Sequence, residues 1–110
     1  MKQYVIDELR PGDHERIKDY LDRHFGPADM GNIYWIPVEP VLYDPVQASH
    51  ADCHPLYFAV QLSDTALTAE LLVRTKNRIR CDCIQYATED QLLWFSRLVD
   101  AVFERLEIKI

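Results

Sequence analysis

The chain has 110 residues, 48% hydrophobic and 27% charged, which fits a single domain over 1–110 without a second independent core. Its formal net charge of −6 disfavours general binding of nucleic acid, which needs positive surface to displace phosphate counterions. Three cysteines cannot all pair within one chain, no apolar run approaches the roughly 20 residues that span a bilayer, and the N-terminal segment turns acidic at Asp7 and Glu8, so a cytoplasmic protein without membrane partners is expected.

Residues 3–9 read as a short strand, ended by the Arg10-Pro11-Gly12-Asp13 break. A helix follows from about Asp13 to Phe25, with Ile17, Tyr20, Leu21, His24 and Phe25 on one face and Gly26-Pro27 as its stop. Asn32 to Pro37 reads as an edge strand, because Pro37 lacks the N–H a central ladder needs. Residues 37–55 hold Pro37, Pro40, Pro45 and Pro55 without a clean period, which predicts an irregular connection with a helical turn near Val46–His50.

Leu56, Phe58, Val60 and Leu62 alternate with Tyr57, Ala59 and Gln61, the period of a strand with one apolar face. Leu67, Ala69, Leu71 and Val73 repeat the pattern after a Ser63-Asp64-Thr65 turn, and Ile79, Cys81 and Cys83 repeat it after Thr75-Lys76-Asn77. Thr88-x-x-Gln91 is a capping box opening a helix to about Leu106, with Leu92, Phe95, Leu98, Val99, Val102, Phe103 and Leu106 in one stripe. Ile108 to Ile110 are left to add a short strand or to fray. The order β-α-β-loop-β-β-β-α predicts an α+β two-layer sandwich: a mostly antiparallel sheet of four or five strands with two helices on one face.

If both helices cover the face carrying Leu71, Val73, Ile79 and Cys81, the other face carries Tyr57, Leu72, Ile84 and Tyr86 among Glu70, Arg74, Arg80 and Asp82. Apolar and aromatic groups rimmed by charge fit the interface of a two-fold homodimer.

Cys81 and Cys83, two apart in a strand, would stand parallel about 6.7 Å from one another, unsuited to a disulfide. His50, Cys53 and His54 are three more possible ligands, and a set such as Cys53, His54, Cys81 and Cys83 could bind a metal tetrahedrally, but no C-x2-C knuckle is present, so no metal is favoured and small buried core cysteines are the leading reading. Cys53 is also a candidate catalytic thiol, with His54 or His50 as its base; adjacent residues in extended chain point apart, which favours His50 if 50–54 is a helical turn.

Arg74, Lys76, Arg78 and Arg80 form a candidate anion- or partner-binding tip, unless Arg74 and Arg80 pair with Glu70 and Asp82. Tyr34, Trp35, Tyr43, Tyr57 and His54 mark a candidate cleft. There is no Gly-rich phosphate loop and no hydrolase or metalloprotease motif, and no cofactor is implied. The leading expectation is a small homodimeric interaction or regulatory module. The alternative is a metal-binding protein or thiol-dependent enzyme using the 50–54 loop with Cys81 and Cys83.

Overall fold

A computed structural model describes residues 2–109. It is an α+β fold: a six-stranded antiparallel sheet carrying its long helices on one face. The chain runs β1 (Gln3–Ile6), α1 (Pro11–Phe25), β2 (Ile33–Pro37), a 3-10 turn (Pro40–Leu42), α2 (Pro45–Ser49), a second 3-10 turn (Ala51–Cys53), β3 (Leu56–Leu62), β4 (Leu67–Glu70), β5 (Leu72–Thr75), β6 (Gln85–Tyr86) and α3 (Glu89–Arg105). No helix among the described residues is long and apolar enough to cross a membrane.

β3 is central, paired with β2 on one edge and with β4 and β5 on the other. β4 and β5 are one bent strand. Val60 lies opposite Ala69, but Tyr57 lies opposite Arg74, so the bend at Leu71 inserts two residues. An even insertion preserves which face each side chain meets, and Leu67, Ala69, Val73 and Thr75 all stay on the core side. β1 and β6 share the outer edge of this bent strand, β1 along β4 and β6 along β5. β2 is an edge strand, as Pro37 predicts.

The core lies between the sheet and the helices. Ile17 and Leu21 of α1 and Phe95, Val99, Val102 and Phe103 of α3 meet Ile36, Phe58, Val60 and Leu67. Phe95 and Phe58 stack at 4.5 Å, with Tyr4 edge-on to Phe95 at 5.7 Å. His24, placed on the apolar face of α1 by its spacing, is exposed and stacks on Tyr20 instead. The tail forms no strand through residue 109: Ile108 N–H donates to Phe103 O and Glu107 N–H to Glu104 O, with Glu107 left-handed at φ 57°. This helix-ending motif tucks Ile108 into the core. Ile110, part of the predicted tail, lies outside the described residues.

One expected strand is absent. Residues 79–84 form no ladder, and only Gln85–Tyr86 pairs with β5. Ile79, expected in the core, is 90% exposed. Cys81 to Ile84 is instead a tight turn closed by Ile84 N–H to Cys81 O at 3.0 Å. Ile84 accordingly leaves the open face and packs against the core, while Leu72 and Tyr86 face each other across β5 and β6.

α1 is tied to the sheet by a polar contact at the margin of the apolar layer. The buried Tyr34 hydroxyl donates to Asp22 Oδ1 at 2.6 Å, and Lys18 reaches Asp22 Oδ2 at 2.9 Å. The Tyr34 bond, then Lys18, holds the Asp22 carboxyl below the usual carboxylate range. A depressed folded-state pKa gives stabilisation that is complete above the unfolded value of about 3.9 and disappears as pH falls through the folded one. The melting-temperature advantage of the native protein over Tyr34→Phe is therefore expected to be flat above about pH 5 and to shrink below about pH 4. An advantage that grows on acidification would show that Asp22 is not the partner that matters.

Candidate metal centre

Two short turns from distant parts of the chain bring four ligand-type side chains together. The first is built by the 37–55 connection. Asp44 caps α2, its Oδ1 accepting from Gln47 N–H at 2.8 Å, while Gln47 Oε1 accepts from Asp44 N–H at 3.1 Å. α2 ends at Ser49 and the chain tightens into the 3-10 turn, with Cys53 N–H donating to His50 O at 2.9 Å. A 3-10 turn has three residues per turn, so positions i and i+3 eclipse. His50 and Cys53 thus present imidazole and thiol to the same side.

The second turn is Cys81-x-Cys83. It reverses the chain, so the two thiols converge instead of standing parallel as in a strand. Nδ1 or Nε2 of His50 and the sulfurs of Cys53, Cys81 and Cys83 all lie within 4.8 Å of one another. His50 Nδ1 is 3.0 Å from Cys81 Sγ, and Cys53 Sγ is 3.7 Å from it. With metal–sulfur bonds of about 2.3 Å, the edge of a tetrahedral zinc–thiolate site is about 3.8 Å, close to the observed sulfur separation. All three cysteines are free.

Polar clips hold the turns in register. The buried Thr75 hydroxyl donates to Cys53 O at 2.6 Å and accepts from Asn77 N–H at 3.1 Å. Asn77 Nδ2 donates to Asp52 O at 3.2 Å. The loop after β5 is thereby fastened to the 50–53 turn before it reaches Cys81.

The thiols differ in their surroundings. The Cys83 backbone N–H, then its thiol, donates to Cys81 sulfur, with Cys53 and His50 adding to the effect, and the Cys81 thiol falls to about 7. Burial, together with the neighbouring sulfurs, pushes the Cys83 thiol up to about 12. Cys83 and Cys53 are buried and belong to the core cluster; Cys81 is half-buried and lines an open cavity of about 550 Å³.

The sequence-based ligand set needs one exchange. His54 does not join the cluster: its Nε2 bonds Gln47 O at 2.7 Å and its ring packs on Tyr43 at 4.7 Å. His50, also counted among the possible ligands of the 50–54 segment, takes the place given to His54, and the His50-x-x-Cys53 spacing is what selects it. Of the two candidate bases for Cys53, His54, disfavoured by its adjacency, is engaged elsewhere, and His50 is the histidine that shares a cluster with Cys53.

The other selected residues separate. Arg74 pairs with Glu70 at 2.9 Å, as the sequence allows. Lys76 lies over the rings of Tyr57 and Trp35, at 4.9 and 5.4 Å from their centroids. Arg78 and Arg80 line the cavity beside Cys81, and no Arg80–Asp82 pair forms. The aromatic cleft is dispersed: Tyr34 faces α1, Trp35 and Tyr57 meet on the open face, and the Tyr43 hydroxyl accepts from Leu56 N–H at 3.0 Å.

Comparison of the chain with known protein families, with curated proteins and with solved structures gives no match.

Proposed function

We propose that this is a zinc-binding domain whose metal is structural, held by His50, Cys53, Cys81 and Cys83. The observation that carries this reading is the convergence of all four ligand atoms within 4.8 Å from two separate turns. Three thiols and an imidazole are a donor set suited to zinc, and four protein ligands fill a tetrahedral shell with no position left for substrate. Without a cation, ionising one thiol of the cluster raises the cost of ionising its neighbour. A divalent cation reverses that relation and favours all three thiolates. The centre ties the loop between β5 and β6 to the turn before β3, and so takes over the organising role that the missing strand would have had.

Cobalt(II) tests the assignment directly. Metal-depleted protein is expected to take up one cobalt per chain and to show the visible absorption of tetrahedral thiolate-bound cobalt, lost on adding zinc. His50→Ala should weaken zinc binding by more than the roughly 10- to 100-fold typical of losing an outer-shell group, whereas His54→Ala should leave the spectrum in place. Octahedral cobalt spectra, or equal losses in the two variants, would refute this ligand set.

Pairing of two copies through the open sheet face has less support. The charges there are matched within the chain, Arg74 by Glu70 and Lys76 by the two aromatic rings, which leaves Leu72 and the 48% exposed Tyr86 as its apolar content near β6.

A further inference from the structure

We propose that the open cavity beside the metal centre binds a small phosphate-bearing ligand through Arg78 and Arg80. The cavity, about 550 Å³, falls within the size range of small-molecule sites. Its walls come from the two turns that carry the metal ligands: His50 and Asp52 on one side, Arg78, Arg80 and Cys81 on the other.

Of the four basic residues grouped in the sequence, these two alone remain unengaged. Arg74 has its carboxylate and Lys76 its aromatic rings, while neither Arg78 nor Arg80 forms an ion pair or side-chain hydrogen bond among the described residues. In a chain of net charge −6, two unpaired guanidinium groups face one concavity and offset the negative charge around it. Their positions are also set in advance. Asn77 is clipped to Asp52 O immediately before them, and Cys81, a ligand of the proposed metal centre, follows immediately after them. An anchored loop loses less freedom when it binds, so more of each contact appears as affinity.

The chemistry selects the ligand class. Guanidinium groups present planar forks of N–H donors that match the oxygens of a phosphate group. Zinc with three thiolates carries one net negative charge, and Asp52 adds another, so the two arginines bring the whole concavity near neutrality. That balance opposes a long polyanion such as a nucleic-acid strand and fits one phosphate group held at the arginine side. The inference rests on the metal reading only because the metal fixes the far end of the loop.

Titration with inorganic phosphate and pyrophosphate at low ionic strength, followed by amide NMR shifts, tests it on zinc-loaded and metal-depleted protein in parallel. Saturable binding is expected with shifts centred on residues 78–81, weakened about tenfold or more by Arg78→Ala/Arg80→Ala, a difference of about 1.4 kcal/mol. Arg80→Lys should recover only part of the loss, since lysine offers a point charge and no fork. Asp52→Asn should tighten binding. Zinc content should not change in the arginine variants. Absence of saturable binding, or binding indifferent to both arginines, would overturn the proposal. So would loss of zinc from the double variant without any phosphate response, because the arginines would then serve to neutralise the thiolates. Phosphate binding by a protein that takes up no metal would leave this site standing while the metal reading fell.

Discussion

If zinc is held as proposed, its chelation is expected to lower the melting temperature of the protein by about 15 °C. The figure follows from linkage: metal present at about 1,000 times its dissociation constant stabilises the folded state by about 4 kcal/mol, and about 4 °C accompanies each kcal/mol in a domain near this size. The loop between β5 and β6 has little else to hold it. Residues 76–80 are all exposed, and Cys83 is the only buried residue from 76 to 84. Beyond the Asn77 clips, the turn bond from Ile84 N–H to Cys81 O is its main internal tie. Removing the metal should therefore open this loop before the sheet. Amide exchange would show fast exchange at 76–84 in the chelated protein and retained protection in β3 and α3. Cys83→Ser should behave like chelated protein even with zinc in excess. If chelator changes neither melting temperature nor loop exchange, the metal has no structural role.

The parts of the fold set by short-range rules were legible from the residues. α3 carries both a capping box at Thr88 and Gln91 and a wide apolar stripe, and local preference and burial agree there. β3 is equally plain, its alternation reaching the buried Leu56, Phe58, Val60 and Leu62. The stretch from Ile79 to Tyr86 misleads for a physical reason. Alternation of apolar and charged residues is the mark of a half-buried strand, but Cys81 and Cys83 occupy the apolar positions as members of a turn. Cysteine reads as a small hydrophobe in a periodicity argument, and its capacity as a ligand is invisible there.

The site was legible in its residues but not in its pairing. Cys53, Cys81 and Cys83 are identifiable as a group, whereas choosing between His50 and His54 depends on the backbone of five residues. In extended chain neither histidine shares a side with Cys53. A 3-10 turn selects the histidine three positions earlier. The basic tip shows the same limit: four like charges in seven residues look like one patch, yet β5, the open face and the cavity each take a different share.

Replacement of Gln91 by Ala is expected to cost about 3 kcal/mol, combining lost hydrogen bonds, orphaned acceptors and a small cavity. Gln91 is fully buried and works in two directions. Its Oε1 accepts from Thr88 N–H at 3.1 Å and closes the cap of α3, while its Nε2 donates to Leu42 O at 2.9 Å and to Gln47 Oε1 at 2.7 Å. Gln47, also fully buried, caps α2 through Asp44, and its own Nε2 has no partner among the described residues. Two helix caps are thus interlocked through a pair of glutamines, and the segment they hold leads directly into His50 and Cys53.

Gln91→Glu separates the two roles. It retains an acceptor for Thr88 N–H but aims a carboxylate oxygen at two other acceptors in a buried site, which costs several kcal/mol at neutral pH. It should destabilise at least as much as Gln91→Ala, although its shape is nearly unchanged. Thr88→Ala, which removes a cap and leaves the buried network alone, should cost only about 1 kcal/mol. Denaturant unfolding of the three variants, with zinc affinity measured alongside, gives the ranking. Zinc should bind more weakly to both Gln91 variants and nearly normally to Thr88→Ala, because the first two loosen the 40–53 segment and the third does not. Equal losses in Thr88→Ala and Gln91→Ala would reduce the glutamine to an ordinary cap and leave His50 and Cys53 held by their own turn alone.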